Sequence, residues 1–278
     1  MVGSDGNGAR PSTSVAPIGV FDSGIGGLTV VRELIRQLPE ESIIYFGDTA
    51  RVPYGPKSPD TVRRYSREIS AFLLGEGVKA IVIACNTATA HALPALRAEL
   101  AVPVLGVAEP GAQAAVKSSR SGRIGVIGTT GTVKSGAYDR AIHAIAPDAK
   151  VTSRPCPLFV PLVEEGWLDT EPTRLIAREY LSPLHDAHVD AVVLGCTHYP
   201  LLKPVIRDVL GARVSLVDPA EQTAAETKRV LSERGVGAPP GSRPTYRFVA
   251  SDAPEQFLRL GQRFLGAAIE RVETLTLG

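Results

Sequence analysis

The chain twice runs an apolar, β-branched stretch into a cysteine and then into small polar residues. Val78-Lys79-Ala80-Ile81-Val82-Ile83-Ala84 ends at Cys85 and continues as Asn86-Thr87. Val189-Asp190-Ala191-Val192-Val193-Leu194-Gly195 ends at Cys196 and continues as Thr197-His198. Runs of this kind read as buried strands of a parallel sheet. In open α/β sheets, ligands gather beyond the carboxyl ends of the strands. The openings repeat as well: Ile18-Gly19-Val20-Phe21-Asp22-Ser23-Gly24 and Ile124-Gly125-Val126-Ile127-Gly128-Thr129-Thr130. The two offsets differ by a few residues, which loops absorb. Any two α/β units share an apolar strand followed by small residues, but the matched cysteines favour a duplicated unit. Two thiols brought together by such a repeat can face one another across a substrate, which suits proton removal from one face of a carbon and delivery to the other.

The 278 residues allow one large domain or two of ordinary size. Lys plus Arg number 30 and Asp plus Glu 29, so composition carries no electrostatic footprint for nucleic acid or a membrane surface. The 3 cysteines lack zinc-motif or Cys-x-x-Cys spacing. They read as reduced thiols of a cytoplasmic protein. No apolar run is long enough to span a bilayer. The stretch before Pro17 is rich in Gly, Ser and Asn without an apolar core. It is expected to be a disordered tail over residues 1–16, not a signal peptide.

From Pro17 onward, strand and helix patterns alternate, which predicts parallel sheets. Strands are expected at Ile18–Phe21, Ser42–Phe46, Ala80–Ala84, Pro103–Val107 and Thr245–Val249. Helices are expected at Gly27–Gln37, Pro59–Leu74, Ala88–Leu100, Pro110–Ser118, Pro172–His185, Pro219–Arg234 and Glu255–Leu265. Arg154–Pro157 reads as a proline-rich approach to Leu158–Gly166. The alternation alone suggests two consecutive α/β domains with a cleft between them.

Several strand ends carry candidate chemistry. Asp22-Ser23-Gly24-Ile25-Gly26-Gly27 joins a strand to a helix, and its glycines offer backbone donors to an anion. It lacks the P-loop signature and the dinucleotide spacing. Ser23 suits a carboxylate or an amine, and Asp22 an amine or a thiol; ordinary N-capping explains the same residues. Thr129-Thr130-Gly131-Thr132 forms the equivalent turn of the second unit, whose hydroxyls and backbone donors suit a second carboxylate. Asp48, in Gly47-Asp48-Thr49 before Pro53-Tyr54-Gly55, can support the site from behind, although turn chemistry alone accounts for it. His198 lies two residues from Cys196, and an imidazolium there stabilises a thiolate. Cys156, between two prolines, reads as a buried inert thiol. Glu164 can pair with His198 or with a substrate ammonium, whereas Glu165 reads as solvated. A Cys/His metal site needs a third close ligand, and no metal is expected.

Four ordered motifs together resemble the glutamate racemases of the cofactor-independent aspartate/glutamate racemase family. They are Phe21-Asp22-Ser23-Gly24-Ile25-Gly26-Gly27-Leu28, Gly47-Asp48-Thr49-Ala50-Arg51-Val52-Pro53-Tyr54-Gly55, Cys85-Asn86-Thr87-Ala88 and Gly195-Cys196-Thr197-His198-Tyr199-Pro200-Leu201-Leu202. Phe159-Val160-Pro161-Leu162-Val163-Glu164 fits too, and the likeness runs over roughly residues 17–270. The resemblance implies an isomerase that interconverts L- and D-glutamate and supplies D-glutamate for peptidoglycan, cell-wall biogenesis and cell shape, with no cofactor. It implies Cys85 and Cys196 as the acid/base pair, Asp22 assisting Cys85, and Glu164 and His198 assisting Cys196. Ser23, Pro53, Tyr54, Gly55, Asn86, Thr87, Thr129, Thr130 and Thr197 would line the substrate, with Asp22 and His198 also in contact with it. It implies two similar parallel-sheet α/β domains related by pseudo-symmetry, with the active site in the cleft between them. The first domain would be discontinuous, residues 17–109 plus 219–278, and the second residues 110–218. A homodimer is the usual assembly, and some relatives are reported to bind DNA gyrase. The chief alternatives are a related racemase acting on aspartate and a regulatory binding protein. The Cys-Thr-His-Tyr-Pro stretch argues for glutamate.

Overall fold

Ile18–Asp22 forms β1, buried along its whole length, as a strand covered on both faces must be. The computed structural model describes residues 14–265 and 268–277. After β1 come α1 (Leu28–Gln37), β2 (Ile43–Gly47), α2 (Pro59–Gly75), β3 (Ala80–Ile83), α3 (Asn86–Glu99), β4 (Val104–Gly106) and α4 (Ala108–Ser118). The second unit follows as β5 (Arg123–Gly128), α5 (Thr130–Ser135), α6 (Ala137–Ile145), β6 (Lys150–Pro155), α7 (Phe159–Glu164), α8 (Glu171–Asp186), β7 (Ala191–Gly195), α9 (Lys203–Leu210) and β8 (Ser215–Val217). The chain closes with α10 (Pro219–Glu233), β9 (Tyr246–Ala250), α11 (Pro254–Leu265) and β10 (Glu273–Thr274).

Two parallel sheets result, ordered β10-β9-β2-β1-β3-β4 and β6-β5-β7-β8. The repeat read from the sequence is now a repeat of topology. β2-β1-β3-β4 corresponds strand for strand to β6-β5-β7-β8, with β1 and β5 central. Phe21 pairs with Ile83 and Asp22 with Gly47, so β1, β2 and β3 end together. Gly128 pairs with Gly195, so β5 and β7 end together. Thr129 and Cys196 therefore leave their strands at the same level, as do Asp22 and the Ala84-Cys85 pair in the first sheet.

Three features depart from the sequence reading. Lys150–Pro155 is the strand β6, where only a proline-rich approach was expected. It lies at a sheet edge and is at best half buried, so its residues never needed the apolar run that marks a strand. The late strand β9 does not continue the second unit, as the alternation by itself suggested, but pairs with β2, and β10 pairs with β9, the arrangement the family resemblance implied. The third is α3, which begins at Asn86 rather than Ala88, because Cys85 caps it: the Cys85 Sγ accepts from the Ala88 N–H at 3.4 Å.

Of the expected tail, residues 1–13 lie outside the described residues. Ser14 and Val15 form a turn, and the Ser14 carbonyl accepts from Lys79 Nζ at 2.7 Å. Lys79, fully buried, also pairs with Glu41. This pairing satisfies a charge that burial would otherwise penalise. Among the described residues, no helix is long and apolar enough to cross a membrane.

Candidate active site

Cys85 and Cys196 leave equivalent strands and line one narrow cavity of about 30 Å3. That volume holds roughly two waters. The first unit contributes Ser23, Val52, Pro53, Tyr54, Gly55, Asn86 and Thr87 to the lining, and the second Thr129, Val160, Thr197 and His198. Most of the expected site residues are thereby brought together. Thr130 is not among them; it borders a neighbouring surface cavity together with Gly55 and Gly131. Asp22, Asp48 and Glu164 are not among the lining residues.

Asp22 is fully buried at the end of β1. Its Oδ2 accepts from the Gly24 N–H at 3.1 Å, while Oδ1 has no partner. The glycine turn thus spends a donor on Asp22 instead of reserving it for a ligand. Burial raises the Asp22 pKa above the usual carboxylate range, against the charge of His198 and the N–H groups of Gly27, Gly24 and Ser23. Cys85 approaches the Ser23 hydroxyl, with 3.7 Å between Sγ and Oγ. Burial, reinforced by the Asp22 charge, pushes the Cys85 thiol up to about 12, despite the Ala88 N–H and the Ser23 donors. Burial thus favours the neutral thiol form of Cys85.

The other side is built differently. His198 Nδ1 lies 3.9 Å from Cys196 Sγ, and Nε2 lies 3.1 Å from Glu164 Oε1 at the end of α7. Burial alone would lower the His198 pKa. Its hydrogen bonds and charge interactions with Cys196 and Glu164 win and raise it to about 10. The site therefore pairs a neutral thiol on one wall with a cation beside the thiol on the other. Glu165 is exposed, in keeping with its expected role at the surface. Cys156 is buried outside the cavity lining; its backbone carbonyl accepts from the Tyr199 hydroxyl at 2.7 Å.

Gly26 has a steric reason that no motif states. A Cβ there would lie 2.6 Å from His198 Nδ1 and 2.7 Å from Cε1. The β1–α1 turn of the first unit packs directly on the histidine of the second. Hydroxyls join the two units as well: Thr87 Oγ1 lies 2.8 Å from Thr129 Oγ1 and 3.2 Å from Thr132 Oγ1. Asp48 accepts from Arg51 Nε at 2.8 Å, from Ser251 Oγ at 2.9 Å and from the Tyr54 hydroxyl. It thus fixes the loop that carries Pro53 to Gly55 along the cavity.

Sequence reasoning missed Val52, Val160 and Tyr138 at this site, and read Thr132 only as part of the Thr129–Thr132 turn. Val52 and Val160 line the cavity, but as apolar side chains they offer no chemistry of their own to single them out, even inside the motifs that contain them. Thr132 sits three residues past Thr129, at the spacing of a helix cap, and its N–H donates to Thr129 Oγ1 at 3.2 Å. Tyr138 carries no local signal; its hydroxyl reaches Asn86 across the two units. Among the described residues, no group of three or more His, Cys, Asp or Glu side chains is gathered to hold a metal.

The family model described as Asp/Glu/Hydantoin racemase matches residues 18–227. A glutamate racemase of Geobacter metallireducens is 54% identical over 260 residues, covering 94% of this chain and 96% of its own. A solved glutamate racemase of Bacillus anthracis superposes with a TM-score of 0.89 at 42% identity, covering 95% of this chain and 97% of its own. A Francisella tularensis glutamate racemase, solved in complex with D-glutamate, gives a TM-score of 0.89 at 41% identity, covering 95% and 98%.

Proposed function

The chain belongs to the Asp/Glu/Hydantoin racemase family, and from that premise we propose that it interconverts L- and D-glutamate by proton transfer between two cysteines, without a cofactor. The observation that carries this reading is the convergence of Cys85 and Cys196, from topologically equivalent strand ends, on one cavity lined by hydroxyl and amide groups. The close relatives named as glutamate racemases, one solved with D-glutamate, support the choice of substrate.

The reaction is a single exchange of protons. With L-glutamate bound, the Cα–H bond breaks and its proton passes to the Cys196 thiolate. The Cys85 thiol gives its proton to the opposite face of the same carbon. D-glutamate leaves behind a Cys196 thiol and a Cys85 thiolate, the state from which the reverse reaction starts. Neighbouring groups divide the two roles. Burial pushes the Cys85 thiol up, favouring its protonated form. His198, held as an imidazolium by Glu164, places positive charge near Cys196 Sγ. Asp22 lies near Cys85, where its carboxyl bears on the thiol's proton affinity, and Ser23, Asn86, Thr87 and Thr197 supply donors to the substrate carboxylates. Such donors stabilise the charge that develops at the α-carbon in the transition state.

The supply of D-glutamate for peptidoglycan and a homodimeric assembly follow from the family resemblance. The discontinuous first domain, residues 17–109 plus 219–278, is supported by the return of β9 and β10 to the first sheet. A circular dichroism time course on L- and D-glutamate tests the activity, using protein dialysed against a chelator with no pyridoxal phosphate supplied. Both enantiomers should converge on the racemate. No change of signal, or activity restored only by a metal or by pyridoxal phosphate, overturns the reading.

A further inference from the structure

Tyr138 is a buried side chain that touches a neighbour of each cysteine, Gly195 before Cys196 and Asn86 after Cys85. It lies on α6, only 2% exposed. One ring edge packs on Gly111 of α4 and the other on Gly195, the residue before Cys196. A Cβ at Gly111 would meet Tyr138 Cε1 at 3.1 Å, and one at Gly195 would meet Cε2 at 3.2 Å. Two glycines therefore clamp the ring and fix the direction of its hydroxyl. That hydroxyl donates to Asn86 Oδ1 at 2.6 Å, and Asn86 follows Cys85. The contact crosses from the second unit to the first. Burial raises the phenol's pKa, so it stays a donor.

We propose that Tyr138 is a positioning residue: a strut between Gly195-Cys196 and Cys85-Asn86 that orients the Asn86 amide toward the substrate. With Oδ1 committed to the phenol, Asn86 keeps Nδ2 as its donor, and since Asn86 lines the cavity that donor suits a substrate carboxylate. Without the phenol the amide can flip and offer its oxygen to that carboxylate instead. Asn86 is also the first residue of α3, whose cap is Cys85, so a loosened Asn86 loosens the thiol beside it. The catalytic part of this proposal rests on glutamate as the substrate; the strut itself does not.

Tyr138→Phe keeps the clamped ring and removes only the hydroxyl. Its KM for both enantiomers should rise about tenfold, the scale of leaving one buried acceptor without its donor, with a smaller fall in kcat. In an Asn86→Ala background the same substitution should change KM by less than about twofold, because the group it orients is gone. A purely structural role would lower thermal stability equally in both backgrounds and leave KM alone, and that result overturns the proposal. A thermal-stability cycle on Tyr138→Phe, Asn86→Ala and the double variant supplies a readout without substrate. Non-additive losses support the strut, and additive losses sink it. If the wild-type protein fails to racemise glutamate, the proposed function falls, while the stability cycle still decides whether the strut exists.

Discussion

Glu164→Gln isolates the charge behind His198. The glutamine keeps an oxygen at the position where Oε1 now lies 3.1 Å from Nε2, but not the negative charge. Opposite unit charges at roughly this separation attract by about 5 kcal/mol at an effective dielectric of about 20. The Glu164 side chain is 36% exposed, so water screens the pair and the net loss should be nearer 1 kcal/mol. The sign follows from the direction of the His198 shift. Its pKa in the folded chain is about 10, above the ordinary 6.5. Protonated His198 thus contributes stability that is fully present below about pH 6.5 and is lost as pH rises through about 10. Glu164→Gln should therefore melt about 2–4 °C below the wild type near pH 6, and the gap should close above pH 10. Scanning calorimetry or thermal circular dichroism across this range reads the difference. A gap of equal size at both ends would mean that the lost interaction is not with the charged imidazolium, and a gap absent near pH 6 would mean that Glu164 does not hold it.

Four further variants test different parts of the site. Cys156→Ser should keep near-normal racemisation, since Cys156 lies outside the cavity lining, whereas Cys85→Ser and Cys196→Ser should each abolish most of it in a circular dichroism assay. With a substrate carrying a β-leaving group, each of the latter two variants should retain elimination from one enantiomer only, and opposite ones: Cys85→Ser from L, Cys196→Ser from D. Gly26→Ala should destabilise the fold by about 1–3 kcal/mol in urea denaturation and cut kcat sharply, because the new methyl drives into the Thr197 hydroxyl and the His198 ring; near-normal kinetics would show that both can move without cost.

The chemistry-bearing residues were legible because each follows a strong local signal. Cys85 and Cys196 end apolar runs, Asp22 ends another, and Gly24, Gly26 and Gly27 mark the turn behind it. Glu164 and His198 were paired as a possibility, since a carboxylate and an imidazole near a thiol complement one another, and they meet at 3.1 Å. Thr130 reads identically to Thr129 in the sequence, yet Thr129 caps α5 and lines the cavity while Thr130 borders the surface. One residue's step around a helix N-terminus separates them, and composition does not record it. β6 escaped notice because an edge strand can be half solvated, so hydrophobicity fails to mark it.

What the sequence determined by itself is therefore local and repeated: two α/β units, strand ends that carry thiols, and the polar groups next to them, all written in periodicity and turn chemistry over short spans. Tertiary structure decided what depends on groups far apart in the chain. It returned β9 to the side of β2. It set Gly26 against His198, and it aimed Tyr138 at Asn86. It also split two similar thiols into unlike environments, one buried beside a carboxylate and one beside an imidazolium. Packing and burial act across these distances through space alone, so no window of residues contains them.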